Sequence, residues 1–164
     1  MLNECKSSNR MKKLISIVLI VLAGCQSDGF YKAIEDIKDG NWFEKNEPTF
    51  TFEIKDKTEH FNLYYYIRNA TQYQYSNIYI SRYMTGPEKE NYPMVRNSIN
   101  LFDATTGEPF GDGLGDLWDH KVLIAKDIQF NKVGKYTIKL RQYMRQDPLP
   151  YLMSVGISLE KINK

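Results

Sequence analysis

Three aspartates and a histidine fall within nine residues of one another, in the run Gly111-Asp112-Gly113-Leu114-Gly115-Asp116-Leu117-Trp118-Asp119-His120. Carboxylates and an imidazole so close together could hold a cation or supply an acid and a base. A calcium loop of the EF-hand kind needs oxygen ligands at positions one, three and five and a glutamate at twelve, and the spacing of four then three between Asp112, Asp116 and Asp119 does not provide them. The run instead reads as a tight loop between strands, with aspartates capping backbone amides and Trp118 plugging a core edge. Asp112, Asp116 and Asp119 are kept as weak metal candidates with no metal expected, and Asp116, Asp119 and His120 as the residues of a third-ranked hydrolase reading.

Other catalytic patterns are missing. His60 and His120 are the only histidines, and no G-x-S-x-G nucleophile elbow occurs. The glycines do not make a dinucleotide fingerprint, having neither its spacing nor a following helix. The chain is expected not to be an enzyme.

The remaining reactive residue is a cysteine. Leu14 to Ala23 is apolar apart from Ser16, follows Lys12 and Lys13, and ends in Leu22-Ala23-Gly24-Cys25. About ten apolar residues is half of the roughly 20 that a helix needs to cross a bilayer, so the segment reads as a secretory leader. Small residues before a cysteine let the backbone enter a peptidase groove, as in a bacterial lipobox, and make Cys25 the expected lipidation site. Its thiol would carry a diacylglyceryl group and its new amino terminus an N-acyl chain such as palmitate; no other cofactor is expected. At about 0.8 kcal/mol per buried methylene, two or three acyl chains hold a protein at a membrane for its lifetime. Cys5 would leave with the leader, so no thiol remains for a disulfide or a nucleophile. Met1 to Arg10 has nothing signal-like and reads as an upstream mis-start or a longer basic region. Gln26 stands where an aspartate would favour inner-membrane retention, so outer-membrane placement is expected, on the periplasmic face or the cell surface.

Removing residues 1–24 from the 164 leaves 140, the size of one domain. Of 22 basic and 20 acidic residues, Lys6, Arg10, Lys12, Lys13 and Glu4 leave with the leader, so 18 and 19 remain and the net charge is minus one. A nucleic-acid partner needs a concentrated basic face, and none is present. Residues 25–46 read as a lipidated tether and lead-in, with Asp39-Gly40-Asn41 as a turn, Trp42 and Phe43 as docking points, and Phe30 to Ile37 as a possible short helix.

Period-two patterns fill residues 47–164. Phe50, Phe52 and Ile54 alternate with Thr51, Glu53 and Lys55, and Phe61, Leu63, Tyr65 and Ile67 alternate with Asn62, Tyr64, Tyr66 and Arg68. Further strands are expected over Ser76 to Met84, Val95 to Phe102, Val122 to Phe130, Lys135 to Tyr143 and Leu152 to Ile162. About seven or eight strands without intervening helices imply an all-β fold, an antiparallel β-sandwich of jelly-roll-like kind.

The same alternation turns Tyr64 and Tyr66 outward on one strand and Tyr79 and Tyr83 outward on the next, opposite Ile78 and Ile80. Adjacent outer tyrosines would form an amphipathic patch able to bind a protein partner or stack on sugar faces, unless loops or the lead-in around Trp42 cover it.

Beyond these residue-level readings, a run of motifs resembles a known family. The lipobox, Phe61-Asn62-Leu63-Tyr64, Arg68-Asn69 with Tyr73, Tyr75-Ser76-Asn77, the Gly111-x-Gly113-x-Gly115-Asp116 loop and Gly134-x-Tyr136 come first. Gln142-x-Met144-Arg145-x-Asp147-x-Leu149 and Val155-Gly156 follow them. Together they resemble the GldH gliding-motility lipoproteins over nearly all of the mature chain. The resemblance implies a small outer-membrane lipoprotein of the Bacteroidota, required for gliding and linked to type IX secretion, with other gliding and secretion envelope proteins as partners. It transfers no catalytic residue and assigns a chemical role to Cys25 alone. The alternative is a glycan-binding surface lipoprotein of a nutrient-uptake system, since antiparallel sandwiches with exposed aromatics commonly bind sugars.

Overall fold

The computed structural model describes residues 29–162, so the leader, Cys25 and the last two residues lie outside the described residues. Eleven strands account for most of the rest: β1 Gly29–Asp36, β2 Asn41–Trp42, β3 Thr49–Ile54, β4 His60–Ala70, β5 Asn77–Thr85, β6 Val95–Asn100, β7 Asp112–Leu114, β8 Leu117–Gln129, β9 Gly134–Gln142, β10 Leu149–Pro150 and β11 Leu152–Lys161. Among the described residues the helical pieces are two 3-10 turns, Lys38–Gly40 and Pro87–Lys89.

All pairings are antiparallel. One sheet has the order β1-β11-β4-β8-β7, the other β3-β9-β5-β6, and β2 with β10 forms a separate two-stranded ribbon. The inner faces are those the alternation predicts. Phe61, Leu63, Tyr65 and Ile67 of β4 and Val155, Ile157 and Leu159 of β11 are buried against Phe50, Phe52 and Ile54 of β3, Ile78 and Ile80 of β5, and Tyr136, Ile138 and Leu140 of β9. Burial of this apolar surface drives the stacking of the two sheets. Burial also pushes the Tyr65 hydroxyl up to about 12, so it stays protonated and donates to Asn97 Oδ1 at 3.4 Å.

Seven strands match the seven periodic stretches, and β1, β2, β7 and β10 are additional. Phe30 to Ile37 is not a short helix. Gly29–Asp36 is an edge strand inside the segment expected as tether and lead-in, paired with β11 through seven residue pairs from Gly29↔Glu160 to Asp36↔Ser154. A single isolated helix of that length is marginal in water, whereas the open edge of β11 satisfies the segment's backbone directly. Phe30 packs on Phe61 with ring centroids 4.9 Å apart, and Tyr31 on Phe52 at 5.5 Å, closing that end of the sandwich with aromatics.

Of the two expected docking points, Trp42 is fully buried and its indole donates to the Asn46 carbonyl at 2.8 Å. Phe43 is exposed, with the Lys45 ammonium 5.4 Å from its ring.

The ends of the sandwich are distinct. The start of β1, the end of β11 and the loops 55–59 and 130–133 share one end, because Gly29 pairs Glu160, Phe61 pairs Lys161, His60 pairs Gln129 and Ile54 pairs Gly134. Residues 71–76, 101–111 and 143–148 therefore lie at the opposite end.

Candidate functional site

The aspartate run forms a hairpin. Gly115 and Asp116 connect β7 to β8, and Gly115 takes φ 62°, a left-handed conformation suited to glycine at the first turn position. The Asp116 carbonyl accepts from the Thr71 amide at 2.8 Å, which docks the turn on the end of β4.

Asp119 is held by a two-pronged Arg68 guanidinium, Nε to Oδ1 at 2.6 Å and Nη2 to Oδ2 at 2.7 Å, which lowers the carboxyl below its ordinary range. His120, next along β8, points to the other face. It is buried, its Nε2 lies 2.9 Å from Asn69 Oδ1, and desolvation lowers its pKa. Asp116, Asp119 and His120 thus do not converge. Asp112 stands opposite Asp119 in the β7–β8 register, but Asp119 already has its cation in Arg68. Trp118 packs over Gly113, where any added Cβ would meet its ring.

The four outward tyrosines are not one patch. Alternation gave their faces correctly, but β4 and β5 belong to different sheets, so Tyr64 and Tyr66 lie on one outer surface and Tyr79 and Tyr83 on the other. Tyr64 and Tyr66 are half-buried under lysines, with Lys121 Nζ 4.4 Å from the Tyr64 ring and Lys32 Nζ 4.0 Å from the Tyr66 ring. Tyr83 has Arg141 5.3 Å from its ring, and that guanidinium is bound in turn by Glu47 and Glu44. Tyr79 opens into a cavity.

That cleft has a volume of about 480 Å³ and is lined by Tyr75, Asn77, Tyr79, Tyr143, Met144, Arg96 and Arg145. Three backbone features position it. The Tyr143 amide donates to the Tyr79 carbonyl at 2.8 Å, carrying the chain beyond β9 alongside β5. The Tyr79 amide approaches Met144 Sδ at 3.4 Å, and the Tyr75 hydroxyl donates to Gln146 Oε1 at 2.8 Å, fixing one wall. Arg96 of β6 crosses the sheet face, donates Nε to Ser81 Oγ at 3.3 Å, and lays its guanidinium 3.4 Å from the Tyr143 ring centre.

Tyr79 is 40% exposed and presents its ring to a ligand, whereas Tyr143, 49% exposed, has one ring face taken by Arg96. None of the lining residues is an aspartate, glutamate, cysteine or histidine. The cleft can stack, fill and donate hydrogen bonds, and it has no nucleophile with a base beside it.

Tyr143 was legible as outward, since Tyr136, Ile138 and Leu140 fix the inward parity of β9. Arg96 had no such signal, because what places it is contact with the Tyr143 ring just beyond the end of β9.

Comparison with known proteins now bears on this domain. A family model described as GldH lipoprotein matches residues 29–159. A "Gliding motility lipoprotein GldH homolog" of Christiangramia forsetii is 26% identical over 152 residues, covering 87% of this chain and 90% of that protein. The "Gliding motility lipoprotein GldH" of Flavobacterium johnsoniae is 20% identical over 155 residues, covering 90% and 94%. Among solved structures, the infectious bursal disease virus VP2 subviral particle aligns with 80% of this chain and 32% of that chain, at 10% identity and a TM-score of 0.32. The model spanning β1 to β11 and two full-length relatives agree: this chain belongs to the GldH lipoprotein family.

Proposed function

We propose that the protein is a lipid-anchored, non-enzymatic component of a gliding-motility apparatus at the outer membrane, tied to type IX secretion and acting by binding a partner. The observation that carries this reading is the Leu22-Ala23-Gly24-Cys25 ending placed just ahead of a domain of the GldH family. Only Gln26, Ser27 and Asp28 separate Cys25 from β1. Four residue steps reach at most about 14 Å, so an acylated Cys25 holds the β1-start end of the sandwich against the headgroups. The cleft around Tyr79 then faces away from the bilayer, where a partner can reach it. Its lining supports binding and not catalysis.

Cross-linking in intact envelopes followed by affinity capture tests the reading. Motility or secretion components should be recovered with the native chain and lost with Cys25→Ala. Recovery of neither class from native envelopes would overturn it.

A second reading, a glycan-binding surface lipoprotein, is favoured by the uncovered ring of Tyr79. Tyr64 and Tyr66 give it no support, since lysines occupy their faces. Calorimetry against oligosaccharides decides it: saturable binding abolished by Tyr79→Ala supports it, and silence removes it.

A further inference from the structure

The surface cations are unequally satisfied. Arg68, Lys121, Lys132, Lys139, Arg141 and Lys161 each have a carboxylate within ion-pair distance. Arg141, on the same outer face as the cleft, is bound by both Glu44 and Glu47. Arg96 and Arg145 have no carboxylate partner among the described residues, and both line the cleft. Arg96 is also pre-oriented. Its Nε is engaged by Ser81 and its plane is supported by Tyr143, leaving its terminal nitrogens as the free donors of a rigid fork.

Beside this fork lie apolar and aromatic walls, Tyr75, Tyr79 and Met144. The Tyr75 hydroxyl hydrogen is committed to Gln146 and one Asn77 amide hydrogen to Ser98. What the cleft offers is two unneutralised guanidiniums and apolar surface. A neutral sugar, whose hydroxyls donate as often as they accept, finds two cationic donors and no carboxylate acceptor in the lining. A carboxylate beside an apolar side chain matches both halves. Tyrosine, methionine and arginine are also the residue types enriched where proteins meet.

We infer that the Tyr79–Tyr143 cleft binds an acidic segment of a partner polypeptide, with one carboxylate on Arg96 and Arg145 and an adjacent apolar side chain between Tyr75, Tyr79 and Met144. The carboxylate is that of an aspartate or glutamate side chain or of a chain terminus. The inference rests on the partner-binding reading above, yet it is tested in vitro, so its failure leaves envelope capture and anchoring untouched.

The test uses full-length protein in detergent micelles and fluorescence anisotropy of a labelled hexapeptide alternating phenylalanine and glutamate, capped at both ends. A capped phenylalanine–glutamine counterpart, the same counterpart with a free terminal carboxylate, and an oligouronate competitor complete the set. The glutamate peptide should bind saturably, and its capped glutamine counterpart at least about tenfold more weakly. Arg96→Gln and Arg145→Gln should each weaken binding severalfold, whereas Arg141→Gln should leave it within about twofold. Arg145 is exposed, so its substitution does not endanger folding. Rescue of the glutamine peptide by its free terminus supports the proposal and assigns the source. Equal binding of the capped glutamine peptide, equal loss on Arg141→Gln, tighter binding of the oligouronate than of the peptide, or no peptide binding at all would overturn it.

Discussion

Gly156 sits at the middle of β11, between Ile34 of β1 and Tyr66 of β4. A Cβ built there would lie 2.7 Å from Ile34 Cγ1 and 2.8 Å from Ile34 Cα, and closer still to the Ala33 carbonyl oxygen. Ordinary contact begins near 3.4 Å, and the backbone atoms of β1 cannot rotate aside as a side chain could. In Gly156→Ala, β1 must therefore retreat by about 0.6 Å or more. Such overpacking costs about 1–3 kcal/mol, while alanine recovers about 0.5–1 kcal/mol by restricting the unfolded chain. The difference spans about 0 to 2.5 kcal/mol, and the net expectation is a loss near its centre, about 1 kcal/mol. It has a ceiling: once the strain exceeds the docking energy of this edge strand, β1 detaches and the strain disappears.

Urea unfolding with hydrogen exchange separates these regimes. Retreat lowers the midpoint at an unchanged slope, whereas detachment lowers the slope too, since less surface is then exposed on unfolding. In either case amides of β1 should exchange at least about tenfold faster than in the parent while those of β5 do not. A control lies two residues along the same face. Ser158 is 1% exposed and its hydroxyl has no hydrogen-bond partner, so Ser158→Ala removes an unsatisfied buried group and should be neutral or stabilising. A Gly156→Ala protein as stable as the parent, or a Ser158→Ala protein as damaged as Gly156→Ala, would refute the close packing of β1.

Acid should destabilise the fold through His120. Asn69 Nδ2 donates to the Ala70 carbonyl, so its Oδ1 accepts from His120 Nε2–H and the bare Nδ1 is left buried without a partner. Burial holds the folded pKa below 6.5, so the unfolded chain takes the proton first. Stability is then full above about pH 6.5 and falls with pH until the folded pKa is passed. Urea midpoints from about pH 7.5 to about pH 5.5 should drop in the parent and less in His120→Gln; equal slopes would count against the assignment. Arg68→Ala should cost no more than about 1 kcal/mol, because the Arg68–Asp119 pair is nearly half exposed, and the loss should shrink in high salt. Cys25→Ala should abolish labelled-palmitate incorporation and leave the precursor unprocessed, as read on a gel; label still entering that variant would disprove the anchor.

Alternation made β3, β4, β5 and β9 legible, because each buries one face and period two survives. β1 escaped notice for a physical reason: Tyr31 and Ala33 pack on the core while Ile34, of opposite parity, is 48% exposed, so apolar residues fall on both faces. β2, β7 and β10 have two or three residues each, too few for any period to show. The start of β8 was hidden by the glycines and aspartates before it, which read as turn when only Gly115 and Asp116 are. Parity also says which face a side chain takes but not which sheet it joins. That is why four correctly oriented tyrosines could be read as one patch.

The split of those tyrosines carries the functional distinction, since the residue type is the same on both surfaces and only the neighbours differ. On the β1-β11-β4 surface the residues beside the rings are small, Ser154, Gly156 and Ser158, all buried, and the chain's own Lys32 and Lys121 fill the faces of Tyr66 and Tyr64. Lys121 is itself neutralised by Glu160 at 2.7 Å. A ligand on that surface would first have to displace these intramolecular contacts. On the β5–β6 surface Arg141 over Tyr83 is neutralised by glutamates, but Arg96 lies in the cleft with no carboxylate of its own, and Tyr79 is left uncovered. A ligand there gains contacts without breaking any. Availability therefore singles out the end of the sandwich away from the β1 start, the end that the proposed acylation of Cys25 would turn outward.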